Sequence, residues 1–242
     1  MTDAHCHVRR GESRHFLCSP RDSEPEGGDV LFVGFHPWEF LPGAAHGAGL
    51  SPDDVERLRR EILSGRAAGI GEIGLDRLKS RKIPAAMREA FAAQLSLAAE
   101  LRCPVVLHGA KCWGEVVREC RRFAGTIPAF LFHGFSRSEG LLPEIQTLNG
   151  FVSVGPAILN DHAVNYRDMA KRLPEGMVLV ESDATAMTAA ATPSVGEVLA
   201  KLAELRQVPA DALAAAVESH AERFRESDTA KIYGCHFSHK IV

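Results

Sequence analysis

The sequence predicts an α/β fold in which a parallel sheet closes into a (β/α) barrel. Short, near-continuously apolar runs recur along the chain: 30–35 VLFVGF, 68–73 AGIGEI, 104–107 PVVL, 128–132 PAFLF, 151–154 FVSV and 177–180 MVLV. Such runs read as strands buried on both faces, the habit of a parallel sheet covered by helical crossovers. Stretches with helix signals lie between most of them, so strand and helix alternate. The 242 residues suit roughly seven or eight such units, a barrel of this kind being about 250 residues long.

The elements follow in order. TDAHCHV, residues 2–8, reads as the first strand. Alternation along a strand puts Asp3, His5 and His7 on one face and Ala4 and Cys6 on the other, with Cys6 packed in the core. The next stretch, 9–29 RRGESRHFLCSPRDSEPEGGD, holds two prolines and three glycines and no helical periodicity. A parallel crossover normally needs a helix of about a dozen residues. This stretch is therefore expected to be loop with a short second strand at RHFLCS, and the barrel to be distorted or incomplete near strand 2. Ser51-Pro52-Asp53-Asp54 supplies an N-cap, a first-turn proline and two first-turn acids to VERLRREIL. Thr192-Pro193 opens SVGEVLAKLAEL in the same way, and Pro84 and Pro209 precede two further helical stretches. No linker, internal repeat or low-complexity segment interrupts the chain, which predicts one barrel domain over residues 1–242.

Composition narrows the functional classes. Apolar residues make up 45% and charged residues 24%, enough for a full core. No apolar run approaches the roughly 18 residues a membrane span needs, so no membrane association is expected. The opening MTDAHCH lacks the basic and apolar regions of a secretory signal. The six cysteines are scattered without a CxxC pair, which favours free thiols in a reducing cytoplasm. The net charge of -3 excludes a global basic field, so any affinity for phosphates is local.

The titratable residues fall where a barrel does chemistry. Glu72 sits inside the apolar strand GIGEIG, His108 ends VVL, His133 ends FLF and Asp183 follows MVLVES. With His5 and His7 they converge on the C-terminal mouth of a barrel. Buried carboxylates without compensation are costly, and metal ions compensate them. Six nitrogen and oxygen ligands exceed what one tetrahedral zinc uses and suit two divalent ions sharing a carboxylate. The donors fit Zn, Mg, Mn, Ni or Co without choosing among them. A two-metal site activates water and clamps a displacement, which points to hydrolysis.

With those residues placed, the chain resembles the TatD family of metal-dependent hydrolases. DAHCH resembles that family's D-x-H-x-H, GFHPW its G-x-H-P block and GEIGLD, residues 71–76, its most distinctive block. PVVLHGAKCWGEVV resembles P-V-x-x-H, FHGFSRS resembles F-H-x-F-S-x-S, and LVESDA resembles L-x-E-T-D-A. The blocks run in family order from residue 1 to about 224. The resemblance implies a TIM-type barrel with two divalent ions and 3'-5' exonuclease or DNase action, some members deacylating D-aminoacyl-tRNA. By position it implies that His5, His7 and Asp183 bind one ion, His108 and His133 the other, and that Glu72 bridges them. Asp183 would also orient the attacking water and take its proton.

The departures lie outside that ligand set. Only 28 residues separate His7 from His36, where family members usually have a βαβα stretch, so about one βα unit is expected to be missing. Trp38 stands where many members have a second histidine, and Thr185 replaces the usual proline after D-A. ESHAERF replaces E-N-x-x-R-x-F, and the tail from residue 225, with His236 and His239, has no counterpart and reads as exposed.

Basic residues follow the ligand-bearing strands: Arg9, Arg10, Arg77, Lys79, Arg81, Lys82, Lys111 and Arg137. They predict a collar for an anionic substrate, nucleic acid being the simplest candidate, with His36, Arg77, Lys79 and Lys111 as substrate contacts. His36 alternatively orders the H-P turn. Trp38 and Trp113 could stack a base, although core or rim packing is their more ordinary fate. Nothing calls for an obligate protein partner. Other readings are a phosphoesterase of the polymerase-and-histidinol-phosphatase type, an amide or ester hydrolase, and a metal-binding barrel without activity. GEIGLD argues against the first, Glu72 in place of a bridging lysine against many of the second, and the full ligand set against the third.

Overall fold

The computed structural model describes residues 1–11, 14–18, 25–136 and 139–227. Eight strands pair in chain order and all in parallel: β1 Thr2–Cys6, β2 Arg14–Cys18, β3 Val30–Val33, β4 Gly69–Asp76, β5 Val105–Ala110, β6 Phe130–Phe132, β7 Gly150–Val154 and β8 Val178–Val180. The ring is drawn together between β8 and β1 by the chain just past them. Asp183 N donates to His5 O at 3.0 Å, and His7 N donates to Ala184 O at 2.8 Å. The helices α1 Pro52–Leu63, α2 Ala85–Leu101, α3 Trp113–Arg121, α4 Leu142–Thr147, α5 Val164–Arg172, α6 Val195–Arg206 and α7 Ala210–Glu226 complete a TIM-type barrel.

The short second strand is present, and the strand count is full. The expected loss of a βα unit near strand 2 is therefore a loss of helix alone: among the described residues, none lies between β1 and β3. The distortion is there as well, because the β1–β2 register slips between Asp3 and Cys6. Helix α7 covers part of the deficit. Its Glu218 accepts from Thr2 N and from Thr2 Oγ1 (2.9 Å), and its Glu222 pairs with Arg14 of β2. His220, in the altered ESHAERF block, donates from Nδ1 to Val178 O of β8 at 2.8 Å. Phe224 reaches Phe16 of β2, Phe32 of β3 and Phe151 of β7, with ring centroids 5.8, 5.7 and 5.6 Å away. β7 lies across the ring from the neighbouring β2 and β3, so Phe224 plugs the barrel axis.

Helix starts follow the cap chemistry closely. Ser51 accepts from Asp54 N while the Asp54 carboxylate accepts from Ser51 N, a reciprocal capping box ahead of α1. Helix α6 uses Ser194 and Glu197 in the same way, so its cap is Ser194 and not Thr192. Thr192 belongs to the preceding turn, where its hydroxyl donates to Thr188 O at 2.9 Å. Gly109, one past His108, has to lack a side chain, since a Cβ there would stand 2.2 Å from the Trp113 ring. Trp113 is accordingly a core residue against Phe132 and Phe135, whereas Trp38 is 47% exposed at the rim. Cys235, Arg137, His236 and His239 lie outside the described residues, and the five other cysteines are buried.

Truncating the plug by Phe224→Ala should lower unfolding stability by about 3–5 kcal/mol. A urea midpoint equal to that of the parent chain would show that the ring carries no such packing.

Candidate metal centre

The site residues lie within the strands or just beyond their carboxyl ends, at the mouth where those ends meet. His5 lies in β1 and His7 just past it, His36 follows β3, Glu72 lies in β4, His108 in β5, His133 follows β6 and Asp183 follows β8. Glu72 is the hub. Its Oε1 is 2.6 Å from His108 Nδ1, 2.6 Å from His133 Nε2 and 3.5 Å from His36 Nε2. Its Oε2 is 3.5 Å from His5 Nε2 and 3.4 Å from His7 Nε2. Asp183 Oδ1 faces the latter pair at 3.6 and 3.7 Å. All six expected ligands are thus brought together, with one carboxylate oxygen turned to each histidine pair.

The donor set also fits divalent ions by what it leaves unmet. His5 is wholly buried, and neither of its ring nitrogens has a hydrogen-bond partner; His133 Nδ1 has none either. Buried polar atoms are nearly always satisfied, and an ion between Glu72 and Asp183 would satisfy His5 Nε2. Other groups turn a bare nitrogen inward. His7 Nδ1 lies 2.6 Å from Cys18 O, an acceptor, so Nδ1 donates and a neutral His7 keeps its Nε2 lone pair for the site.

A second layer was missed in the sequence. Asp76 Oδ2 holds His108 Nε2 at 3.1 Å. Glu181 Oε2 stands 3.7 Å from His133 Nδ1 and is fixed by Ser153 Oγ (2.5 Å), while Gly134 N donates to its Oε1 (2.8 Å). The signal was strand parity: Asp76 is four residues beyond Glu72, and Glu181 two before Asp183. Asp3 shares their burial but joins a different contact. It accepts from Ser182 N at 2.9 Å and Ser182 Oγ at 2.5 Å, tying β1 to the chain after β8. Asp3, Cys6 and His15 also converge, yet His15 is already matched by Asp29 at 3.0 Å and Arg10 O at 3.1 Å.

Electrostatics divide the histidines. Burial, with the neighbouring charge of His133, lowers His5 to about 4, so it is neutral near pH 7. Burial also opposes charge on Glu72, but His133, His36 and His5 and the hydrogen bond with His108 override it and hold the carboxylate well below its ordinary range. Burial disfavours charge on His133 too; Glu72 and Glu181 outweigh it and raise His133 well above the usual value. His108 is raised by Asp76 and Glu72 against the same burial. Burial, partly offset by Ser182, pushes Asp3 up to about 6.

His36 has two contacts. Its Nδ1 accepts from Trp38 N at 3.2 Å and caps the turn Pro37–Phe40, while Nε2 faces Glu72. The basic collar is uneven. Lys111 lines two cavities, one of about 480 Å³ with His108, His133 and Asp183, the other of about 460 Å³ with Arg77 and Glu115. Arg77 is paired with Glu115, and Lys79 Nζ lies 4.7 Å from the Trp38 ring centre. Arg9 pairs with Asp29 and Glu26, Arg10 donates to Pro193 O, and Arg81 and Lys82 are exposed.

Residues 23–225 match the family model described as TatD related DNase; residues 1–22, with His5 and His7, lie outside that match. The uncharacterized metal-dependent hydrolase YabD of Bacillus subtilis is 22% identical over 198 residues, 79% of this chain and 75% of YabD. The 3'-5' ssDNA/RNA exonuclease TatD of Klebsiella pneumoniae is 28% identical over 153 residues, 63% of this chain and 56% of that protein. The chain thus spans little more than half the length of that exonuclease. The crystal structure of YJJV, a TatD homolog from Escherichia coli, superposes with a TM-score of 0.73 at 22% identity, covering 92% of this chain and 96% of YJJV. That likeness is one of fold, the same TIM-type barrel. The family match over most of the chain and the motifs that line the mouth lead to one conclusion: the chain belongs to the TatD related DNase family, whose members include metal-dependent hydrolases.

Proposed function

We propose that the chain hydrolyses phosphodiester bonds of nucleic acid, DNA in the first instance, with two divalent ions at the barrel mouth. The observation that carries this reading is Glu72, whose two oxygens face separate histidine pairs beside a buried His5 with no partner for either ring nitrogen. His5, His7 and Asp183 would hold one ion, His108 and His133 the other, and Glu72 both. Bound ions would supply a water activated near neutral pH and a clamp for the displacement. Asp183, whose side chain is 51% exposed, would orient that water and accept its proton. Glu72 would stay ionised and hold the two histidine pairs in register. His36, Arg77, Lys79 and Lys111 would bind the substrate's phosphates at the rim. The nucleic-acid substrate is supported by the exonuclease names of the relatives. The same reading takes residues 1–242 as one domain acting in the cytoplasm; no helix among the described residues is long and apolar enough to cross a membrane.

Purified protein should bind about two divalent ions per chain, with His108→Ala weakening one site more than the other. Elemental analysis that finds none at neutral pH would remove the reading. Each ion present at 100 times its dissociation constant should stabilise the fold by about 2.7 kcal/mol, so chelation should lower Tm. His133 and His108 keep their protons to higher pH than free histidine. Ions must displace those protons, so apparent affinity should fall as pH falls; calorimetry in buffers of different ionisation enthalpy reads the released protons.

Asp183→Asn should abolish hydrolysis while ions remain bound, and near-normal turnover would exclude it as proton acceptor. The pH–rate profile should rise on an acidic limb.

Replacing Arg77, Lys79 and Lys82 together with alanine should raise KM for single-stranded DNA. Each lost phosphate contact should flatten the log–log salt slope by roughly 0.7 to 0.9, and hydrolysis of a small phosphodiester should be unchanged. An assay panel of single- and double-stranded DNA, a simple phosphodiester and D-aminoacyl-tRNA separates this function from deacylation and from small-ester hydrolysis.

A further inference from the structure

We propose that Trp38 is a positioning residue of the metal centre, holding Asp76 so that His108 keeps its Nδ1 turned toward Glu72. The inference rests on the reading that His108 binds an ion.

Trp38 is half exposed at the rim. Its polar edge is not turned to water: Nε1 donates to Asp76 Oδ2 at 2.6 Å. Asp76 is fully buried, and all its contacts are spoken for. Oδ1 accepts from Leu78 N at 2.5 Å and Lys79 N at 3.2 Å, while Oδ2 takes Trp38 and, at 3.1 Å, His108 Nε2. The two backbone donors anchor one oxygen. The indole anchors the other, and so removes the rotation of the carboxylate plane that the backbone donors alone would leave free.

The consequence reaches the ligand. A carboxylate held in that plane accepts from His108 Nε2, which must then carry the proton. Nδ1 lies 2.6 Å from Glu72 Oε1, on the side where the site converges, and is the nitrogen that would give up its proton to an ion. Partners of this kind set both the tautomer and the ring direction of a ligand histidine. The indole is itself braced at the rim: the His36 ring meets it edge to face at 4.9 Å, and Lys79 Nζ lies 4.7 Å from its ring centre. Sequence separation between Trp38, Asp76 and His108 hides the relay, which three different strand ends assemble.

The test is calorimetric titration of ion-free protein with Mn²⁺ or Co²⁺, in the parent chain, Trp38→Phe and Trp38→His. Phenylalanine keeps an aromatic ring and drops the N–H; histidine restores a ring N–H at a similar reach. Trp38→Phe should bind one of the two ions about tenfold more weakly, at the low end of the loss expected for an outer partner of a ligand. Trp38→His should recover most of it, and the Tm of the ion-free proteins should be equal. Ion addition should also change the tryptophan fluorescence of the parent chain and leave that of Trp38→Phe, which retains Trp113, unmoved. Unchanged ion affinity in Trp38→Phe, or a loss that histidine does not restore, would overturn the proposal and leave Trp38 as rim packing. A parent chain that binds no ion would overturn the two-ion reading with it, an outcome distinct from intact binding that ignores Trp38.

Discussion

A buried carboxylate among five imidazoles is the constraint on which the mouth of this barrel depends. Glu72 sits in the middle of an apolar strand with its side chain only 5% exposed. Desolvation alone would make it neutral. His133 and His36 and the hydrogen bond with His108 foremost hold it ionised, within a ring of five imidazoles from four other strand ends. The dependence is mutual, since all five rings turn a nitrogen to this one carboxylate. Such a cluster is stable only when each ring is aimed, which explains how much of the neighbouring structure is devoted to aiming them.

That aiming is done by a second layer of carboxylates and carbonyls. Asp76 turns His108, Cys18 O turns His7, and Glu181 stands behind His133 with Ser153 and Gly134 holding it. His5 stands apart. Burial keeps it neutral, it stacks on His133 at 3.9 Å between ring centres, and its Nε2 faces the carboxylates of Glu72 and Asp183. A neutral, unpartnered imidazole next to two carboxylates is poised to take a cation, whereas the raised His108 and His133 must give up protons first.

The same mouth relies on an unusual barrel wall. The first two crossovers lack helices among the described residues, yet β2 still pairs on both edges. Helix α7 makes this tenable by fastening β1, β2 and β8 from one helix and by sending Phe224 into the axis. Asp3 with Ser182, and the backbone bonds from Asp183 and Ala184 to His5 and His7, then draw β8 and β1 together at the site itself. The seam that closes the ring is also the one that carries three of the six candidate ligands.

Much of this was legible in the residue order. Apolar runs marked the strands, cap residues marked α1, and the ligand positions stood out because a carboxylate or imidazole in a buried strand needs a reason to be there. The short second strand could be read from RHFLCS, but its full place in the ring could not, because a five-residue strand flanked by prolines and glycines carries little local signal. Nor could sequence order separate Trp113, which Gly109 admits to the core, from Trp38, which stands at the rim. The collar shows the same limit: Arg77 and Lys111 look alike in sequence, and only folding pairs one with Glu115 and leaves the other lining the cavity. Sequence determines which side chains a strand presents and on which face, because alternation is a property of the local backbone. Which of them meet is decided by the closure of the ring, since Trp38, Asp76 and His108 become neighbours only when three strand ends converge on one mouth.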